Sequence, residues 1–275
     1  MAKDADELKD KTRKALEGAV EVAERNVPEK ARPQVAIILP SLIGVVILAL
    51  MSWGASEIYE AVTERAGLSR LDQPVLDFMV ANRQPWITTI VGAFTHIGGT
   101  IGSPIIATIV VVALSVRWRS WLPVTLMLAA ALGSVTVTII GKNYIDRVRP
   151  PHEFAIAPFE SSPSFPSGHA LNAVVVGGVI AYLLWRRFDG YRRTRIAVVV
   201  LAALYALLMG LSRVYLGHHW LTDVMTGWLL GAAWLALVIT THVVAVAITT
   251  RQKDTPALEA HEHPNDDTAE ADSTA

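Results

Sequence analysis

Three short stretches between residues 142 and 223 gather side chains suited to holding and attacking an anion. The first carries Lys142, Asp146, Arg147 and Arg149. The second is Pro166-Ser167-Gly168-His169, directly before an apolar run. The third reads Ser212-Arg213-Val214-Tyr215-Leu216-Gly217-His218-His219-Trp220-Leu221-Thr222-Asp223. Ser167 is a natural helix N-cap, so the amides of Gly168 and His169 are expected at a helix N-terminus, where free N–H groups and the helix dipole favour an anion. Glycine at 168 allows close approach to the backbone. His219 and Asp223 are four residues apart, so on a helix they share one face and can hydrogen-bond. A carboxylate on one ring nitrogen fixes the tautomer and leaves the other nitrogen as nucleophile or base. His218 has Thr222 at that offset and lacks such a carboxylate.

Each stretch alone has a plainer reading. Lys142 and Arg147 could simply reach out to lipid headgroups. The tetrapeptide could be an ordinary capped helix, and a His–Asp pair could be structural or a weak metal site. Taken together, the stretches supply cations, amide donors and two histidines without a plausible metal cage. That combination suits phosphoryl transfer, in which charge neutralisation and in-line positioning dominate. No metal or other cofactor is expected.

The elements that position these residues follow from hydropathy. Of the 275 residues 52% are hydrophobic, and they are concentrated in long runs with few or no charges. Such runs cover 35–56, 86–116, 120–141, 170–185, 196–212 and 224–250. A helix needs about 20 apolar residues to cross a bilayer, and roughly six spans result. Helices satisfy their own backbone groups in lipid, and the alternation of a β-barrel is absent. The expected fold is therefore all-α and polytopic, with the site at the extracytoplasmic ends of the helices. The run 86–116 is too long for one span and contains His96, Gly98, Gly99, Gly102 and Pro104. It reads as a half-helix ending near Gly98, followed by a span from about Thr100. Segment 71–81 reads as a helix lying on the membrane surface.

Residues 1–34 mix charges and form an N-terminal cytoplasmic segment, either a weakly amphipathic helix or a solvated leader. Residues 35–250 form the membrane domain. Residues 251–275 have the composition of a disordered tail. The arginine-rich links 186–195 and 117–119 belong in the cytoplasm by the positive-inside rule, which places both termini there and loops 57–85, 142–168 and 212–222 outside. Tryptophans 53, 86, 118, 121, 185 and 220 near span ends fit an aromatic belt. The chain has no cysteine, which excludes disulfides and thiolate metal sites.

Lys142-x6-Arg149-Pro150, Pro166-Ser167-Gly168-His169 and Ser212-Arg213-x5-His219-x3-Asp223 resemble the three signature motifs of the type 2 phosphatidic acid phosphatase family, which shares its site with vanadium haloperoxidases. The resemblance implies that Lys142, Arg149 and Arg213 bind phosphate oxygens, with Ser167 and Gly168 donating further hydrogen bonds. It implies His219 as nucleophile, Asp223 as its orienting partner, and His169 as the group that protonates the leaving oxygen and then activates water. Asp146 and Arg147 fall between motif positions and receive no role. The implied activity is hydrolysis of a lipid phosphate or diphosphate, with undecaprenyl diphosphate first and phosphatidic acid or phosphatidylglycerophosphate as alternatives. The implied setting is a bacterial plasma membrane, where lipids, not nucleic acids, are the partners. Haloperoxidases are typically soluble, which sets that branch aside. A transporter or a lipid-phosphate binder without turnover is the reading from another class; the clustering of the charges at one face, and none mid-span, speaks against transport. Oligomeric state leaves no mark in the sequence.

Overall fold

The computed structural model describes residues 32–188 and 190–262. Among the described residues the chain is all-helical, with eight α-helices and two short 3-10 turns. In chain order these are α1 (Arg32–Thr63), α2 (Asp72–Ala81), α3 (Pro85–Ile97), α4 (Gly102–Trp118), α5 (Leu122–Ile145), α6 (Gly168–Arg187), α7 (Arg192–Tyr215) and α8 (Leu221–Glu262). The N-terminal segment before residue 32, read as either an amphipathic helix or a solvated leader, lies outside the described residues, as do residues 263–275. α8 carries the chain past Thr250 as helix to Glu262, beyond the expected end of the membrane domain. Ile43–Thr240 form one compact unit, which holds all of the site; the start of α1 and the end of α8 belong to a second.

Five helices are long and apolar enough to cross a membrane, namely α1 from Ile37, α5, α6, α7, and α8 to Thr250. α3 and α4 meet at 56° and count as a sixth span if taken as one broken helix. The break falls where Gly98, Gly99 and Gly102 interrupt the apolar run, as the sequence suggested. Large apolar side chains stay exposed along these helices, such as Ile38, Val45, Ile109, Leu132 and Leu201. A water-facing surface would not carry so much apolar area, whereas lipid accepts it. The chain is an integral membrane protein.

Inside the bundle, Val111 of α4, Met127 of α5 and Leu171, Val175 and Val179 of α6 form the main core, with Val238 of α8. Hydrophobic burial drives little helix association within lipid, so close packing must hold these helices together. Gly133 shows how. The Trp234 indole of α8 lies where a Cβ at 133 would sit, and its Nε1 donates to the Ala130 carbonyl at 3.1 Å.

α2 is anchored at both ends onto the loops that build the site. At its start, Asp72 is buried. Just beyond its end, Arg83 donates to the carbonyls of Tyr215 (Nε, 2.9 Å) and Phe154 (Nη2, 2.7 Å). Between them Leu76 is fully buried while Phe78 is exposed, the two-sided character expected of this segment.

Candidate active site

The end of α7 and the start of α8 fix the histidine pair. Gly217 takes φ 73°, a left-handed conformation that favours glycine, and a Cβ there would collide with the Phe154 carbonyl. The chain then doubles back, and the Arg213 carbonyl accepts the amides of His218 (2.9 Å) and His219 (3.3 Å). His219 therefore precedes α8 rather than sharing its face with Asp223, a correction to the helical reading of their spacing. Asp223 lies in the first turn of α8, where its Oδ2 accepts the Trp220 amide at 2.9 Å in the manner of a capping box. The pair still meets, at 3.4 Å between His219 Nδ1 and Asp223 Oδ2. Both side chains are almost wholly buried.

Arg149 Nη1 stands 3.2 Å from His219 Nε2. A guanidinium has no acceptor, so in this contact Nε2 presents its lone pair and Nδ1 carries the proton towards Asp223. Burial, followed by the Arg149 and Arg213 charges, pushes the His219 ring well below its usual pKa. The ring is a neutral imidazole with its free electron pair directed at the cations.

Those cations are gathered on one carboxylate. Glu160 Oε2 pairs with Arg149 Nη2 at 2.7 Å, and Oε1 pairs with Arg213 Nη2. Burial alone would raise the Glu160 carboxyl, but the fixed charges beside it, Arg213 foremost and then Arg149, outweigh it and hold the group at about 2. Arg213 is buried, its Nη1 donates to Thr95 Oγ1 at 3.1 Å, and its Nε has no partner among the described residues. A buried N–H without an acceptor is costly, and an incoming anion would relieve it. Lys142 Nζ donates to Ser162 Oγ (2.8 Å) and the Pro163 carbonyl (2.6 Å), so its ammonium clamps the same loop.

Ser167 caps α6 as expected, its Oγ accepting the Ala170 amide at 3.5 Å, and the side chain is fully buried. Its amide donates to the Asp223 carbonyl at 3.0 Å, joining the second motif to the third. Gly168 and His169 open onto a cavity of about 500 Å³ that Lys142, Glu160 and His219 also line. Away from these groups the cavity runs between α4, α5 and α6 along apolar side chains. It reaches Val112, Leu128, Val135 and Ile139, all of which are more than half exposed. The cavity is thus a cleft with a charged head and an apolar flank open to the lipid-facing surface.

All eight residues singled out from the motifs meet around this head. Four more were not foreseen. Glu160 carries no spacing signal within its loop. Ser164 Oγ donates to Asp223 Oδ2. Arg147, which received no role, places Nη1 2.5 Å from Asp223 Oδ1 and Nη2 2.7 Å from Asp72 Oδ2. Asp72 comes from a segment read only as a surface helix. For Arg147 a signal existed, since a cation on the translocated side calls for a partner.

Comparison with known proteins settles the family. The PAP2 superfamily model matches residues 121–246. Phosphatidylglycerophosphatase B of Bacillus subtilis (strain 168) is 35% identical over 162 residues, covering 58% of this chain and 77% of the relative. The chain belongs to the PAP2 superfamily. Among its PAP2 relatives, an undecaprenyl-diphosphatase of Sulfolobus acidocaldarius is 30% identical over 123 residues, or 42% of this chain and 50% of that protein. The crystal structure of the transmembrane PAP2 type phosphatidylglycerolphosphate phosphatase from Bacillus subtilis matches with TM-score 0.58 and 29% identity, covering 76% of this chain and 96% of the other. That of Aquifex aeolicus LpxE shares the fold, at TM-score 0.50 and 20% identity over 62% of this chain and 94% of the other. This PAP2 protein is a membrane lipid phosphatase, a phosphoric ester hydrolase.

Proposed function

We propose that the chain removes phosphate from the headgroup of a membrane lipid through a phosphohistidine on His219, with undecaprenyl diphosphate as the first candidate substrate. One observation carries the reading. The neutral His219 ring stands at the charged head of a cleft whose apolar flank opens to lipid, which fits an amphiphile with a phosphate head. The second candidate is phosphatidylglycerophosphate, favoured by the longer and closer match to the Bacillus subtilis phosphatase.

In the proposed sequence the lipid phosphate displaces the Glu160 carboxylate from Arg149 and Arg213. Lys142 and the amides at the start of α6 complete the cradle. His219 Nε2 attacks phosphorus as the bond to the lipid oxygen breaks, and His169, which takes up a proton when the phosphate dianion binds beside it, gives that oxygen the proton. Asp223 accepts the Nδ1 proton's hydrogen bond and stabilises the charge that develops on the ring. A water then attacks phosphorus, His169 takes its proton, and the N–P bond breaks to free inorganic phosphate. Acid–base help of this kind typically accounts for about 10²–10⁴-fold in rate.

The positive-inside rule supports a site facing away from the cytoplasm, because Arg117, Arg119, Arg186 and Arg187 lie at the opposite ends of α4 and α6 from the cleft head. Both ends of the membrane domain then face the cytoplasm. The test is phosphate release by the detergent-purified protein from each lipid in turn, with excess EDTA. Release from undecaprenyl diphosphate above phosphatidylglycerophosphate supports the first candidate, and the reverse order replaces it by the second. A folded protein that binds both and releases nothing would leave a binder.

A further inference from the structure

We infer that Asp72, at the start of α2, is a positioning residue for the reaction, acting through Arg147 on Asp223. This rests on the proposed roles of His219 and Asp223.

The Asp72 carboxylate makes three polar contacts and all lead to the catalytic turn. Its Oδ1 accepts the Thr222 amide at 2.9 Å, and its Oδ2 accepts Thr222 Oγ1 at 2.7 Å. Oδ2 also takes Arg147 Nη2 at 2.7 Å. Arg147 Nη1 completes the circuit on Thr222 Oγ1 (2.8 Å) and Asp223 Oδ1 (2.5 Å). Nη1 and Nη2 of one planar guanidinium are thus each held by a different carboxylate. Such a fork fixes direction as well as distance.

The consequence falls on the other oxygen of Asp223. With Oδ1 held by Arg147, Oδ2 is left for the Trp220 amide, Ser164 Oγ and His219 Nδ1. Rotation of the Asp223 carboxylate would lose the His219 contact first, because at 3.4 Å it is the longest of the set. Asp72 resists that rotation in two ways. It holds Arg147 in place, and by accepting the Thr222 amide and hydroxyl it fixes the residue before Asp223. It also provides negative charge for Arg147, so that Arg147 is not left to Asp223 alone. Asp72 and Thr222 are buried, and neither lines the cleft, so neither touches substrate.

The contact spans 150 residues of sequence and joins α2 to the first turn of α8. A membrane-surface segment thereby sets the geometry of a group that it does not reach directly.

The test is Asp72→Asn, which keeps the shape and an acceptor for the Thr222 amide while removing the charge. Phosphate release is read at saturating and limiting lipid, alongside His219→Ala and Asp223→Asn. The expected result is a kcat lower by about 10- to 100-fold, the range typical of removing an outer partner of a functional group. KM should stay within about twofold, because the phosphate cradle is untouched. Arg147→Lys, which keeps the charge and loses the fork, should give a loss of the same kind. The double variant should be no worse than the poorer single one, since both act along one chain. Wild-type kcat in Asp72→Asn overturns the inference while leaving the His219 reading intact. So does an equal rise in KM and fall in kcat, or additive losses in the double variant, which indicate only loosened packing. Full activity in His219→Ala would instead remove the reading on which the inference rests. If Asp72→Asn does not fold, Thr222→Val reads the same chain, because it deletes the hydroxyl shared by Asp72 and Arg147. A kcat loss at constant KM supports the inference there too, and unchanged kcat overturns it.

Discussion

Glu160→Gln should tighten the binding of phosphate-like anions. In the structure the Glu160 carboxylate occupies the guanidinium donors of Arg149 and Arg213 that a phosphate needs. An incoming headgroup must first win those donors. A carboxyl held at about 2 in place of 4.5 favours its anion by about 3 kcal/mol. Part of this is recovered when the released carboxylate meets water and its remaining neighbours, so the net cost is on the order of 1–3 kcal/mol. Binding reports that cost directly, because affinity is reduced by the fraction of protein in which the site is free. Glutamine keeps the length and one acceptor but lacks the charge. The Ki of orthovanadate, or of inorganic phosphate, should therefore fall by roughly 10- to 100-fold. The assay is inhibition of phosphate release in mixed micelles at fixed lipid mole fraction. Unchanged Ki would mean that Glu160 does not compete with the anion. A raised Ki would mean that it serves to align the arginines, and the reasoning would be wrong.

His219→Ala should abolish the acid-labile phosphoenzyme trapped by quenching during turnover, and Asp223→Asn should lower its rate of formation by at least tenfold; survival of the phosphoenzyme in His219→Ala would point to another nucleophile. Gly217→Ala places a side chain at positive φ and against the Phe154 carbonyl, so it should cost about 1–3 kcal/mol and lower kcat with it. A thermal-shift scan checks this, and an unaltered transition would argue against a strained turn. With the His219 ring held well below its usual range by burial, Arg149 and Arg213, phosphoenzyme formation should persist at pH 5.5; loss of the nucleophile near pH 6.5 would refute the neutral ring. The same depression makes the unfolded chain bind a proton that the folded protein does not. Stability should thus decline as pH falls below about 6.5, and decline further as Glu160 is titrated between 4.5 and about 2.

The motif residues were legible because their chemistry is local. Ser167 caps the helix that its sequence announces, and Lys142, Arg149 and Arg213 stand where the charge rule for spans is broken. The glycines at 98, 99 and 102 marked the bend between α3 and α4. The His219–Asp223 pairing was foreseen for an incomplete reason. Helical spacing suggested a shared face, whereas the contact arises because Gly217 turns the chain and Asp223 caps the next helix. Asp72 and Glu160 escaped notice because nothing periodic connects them to their partners. Asp72 meets Thr222 across 150 residues, and Glu160 sits in an irregular loop whose course depends on the arginines it binds. Long-range ion pairs of this kind are decided by the packed structure, and the order of residues along the chain does not display them.

The flank of the cleft at Val112, Leu128, Val135 and Ile139 has a kinetic meaning. Substrate that enters sideways never leaves the bilayer, and the dephosphorylated lipid departs by the same route while phosphate goes to water. What the protein senses is then the mole fraction of its substrate among neighbouring lipids, a two-dimensional concentration. Adding inert lipid at constant bulk substrate should slow the reaction as much as withdrawing substrate would. The natural unit for KM is mole per cent, and the composition of the surrounding leaflet becomes a rate-determining variable in its own right.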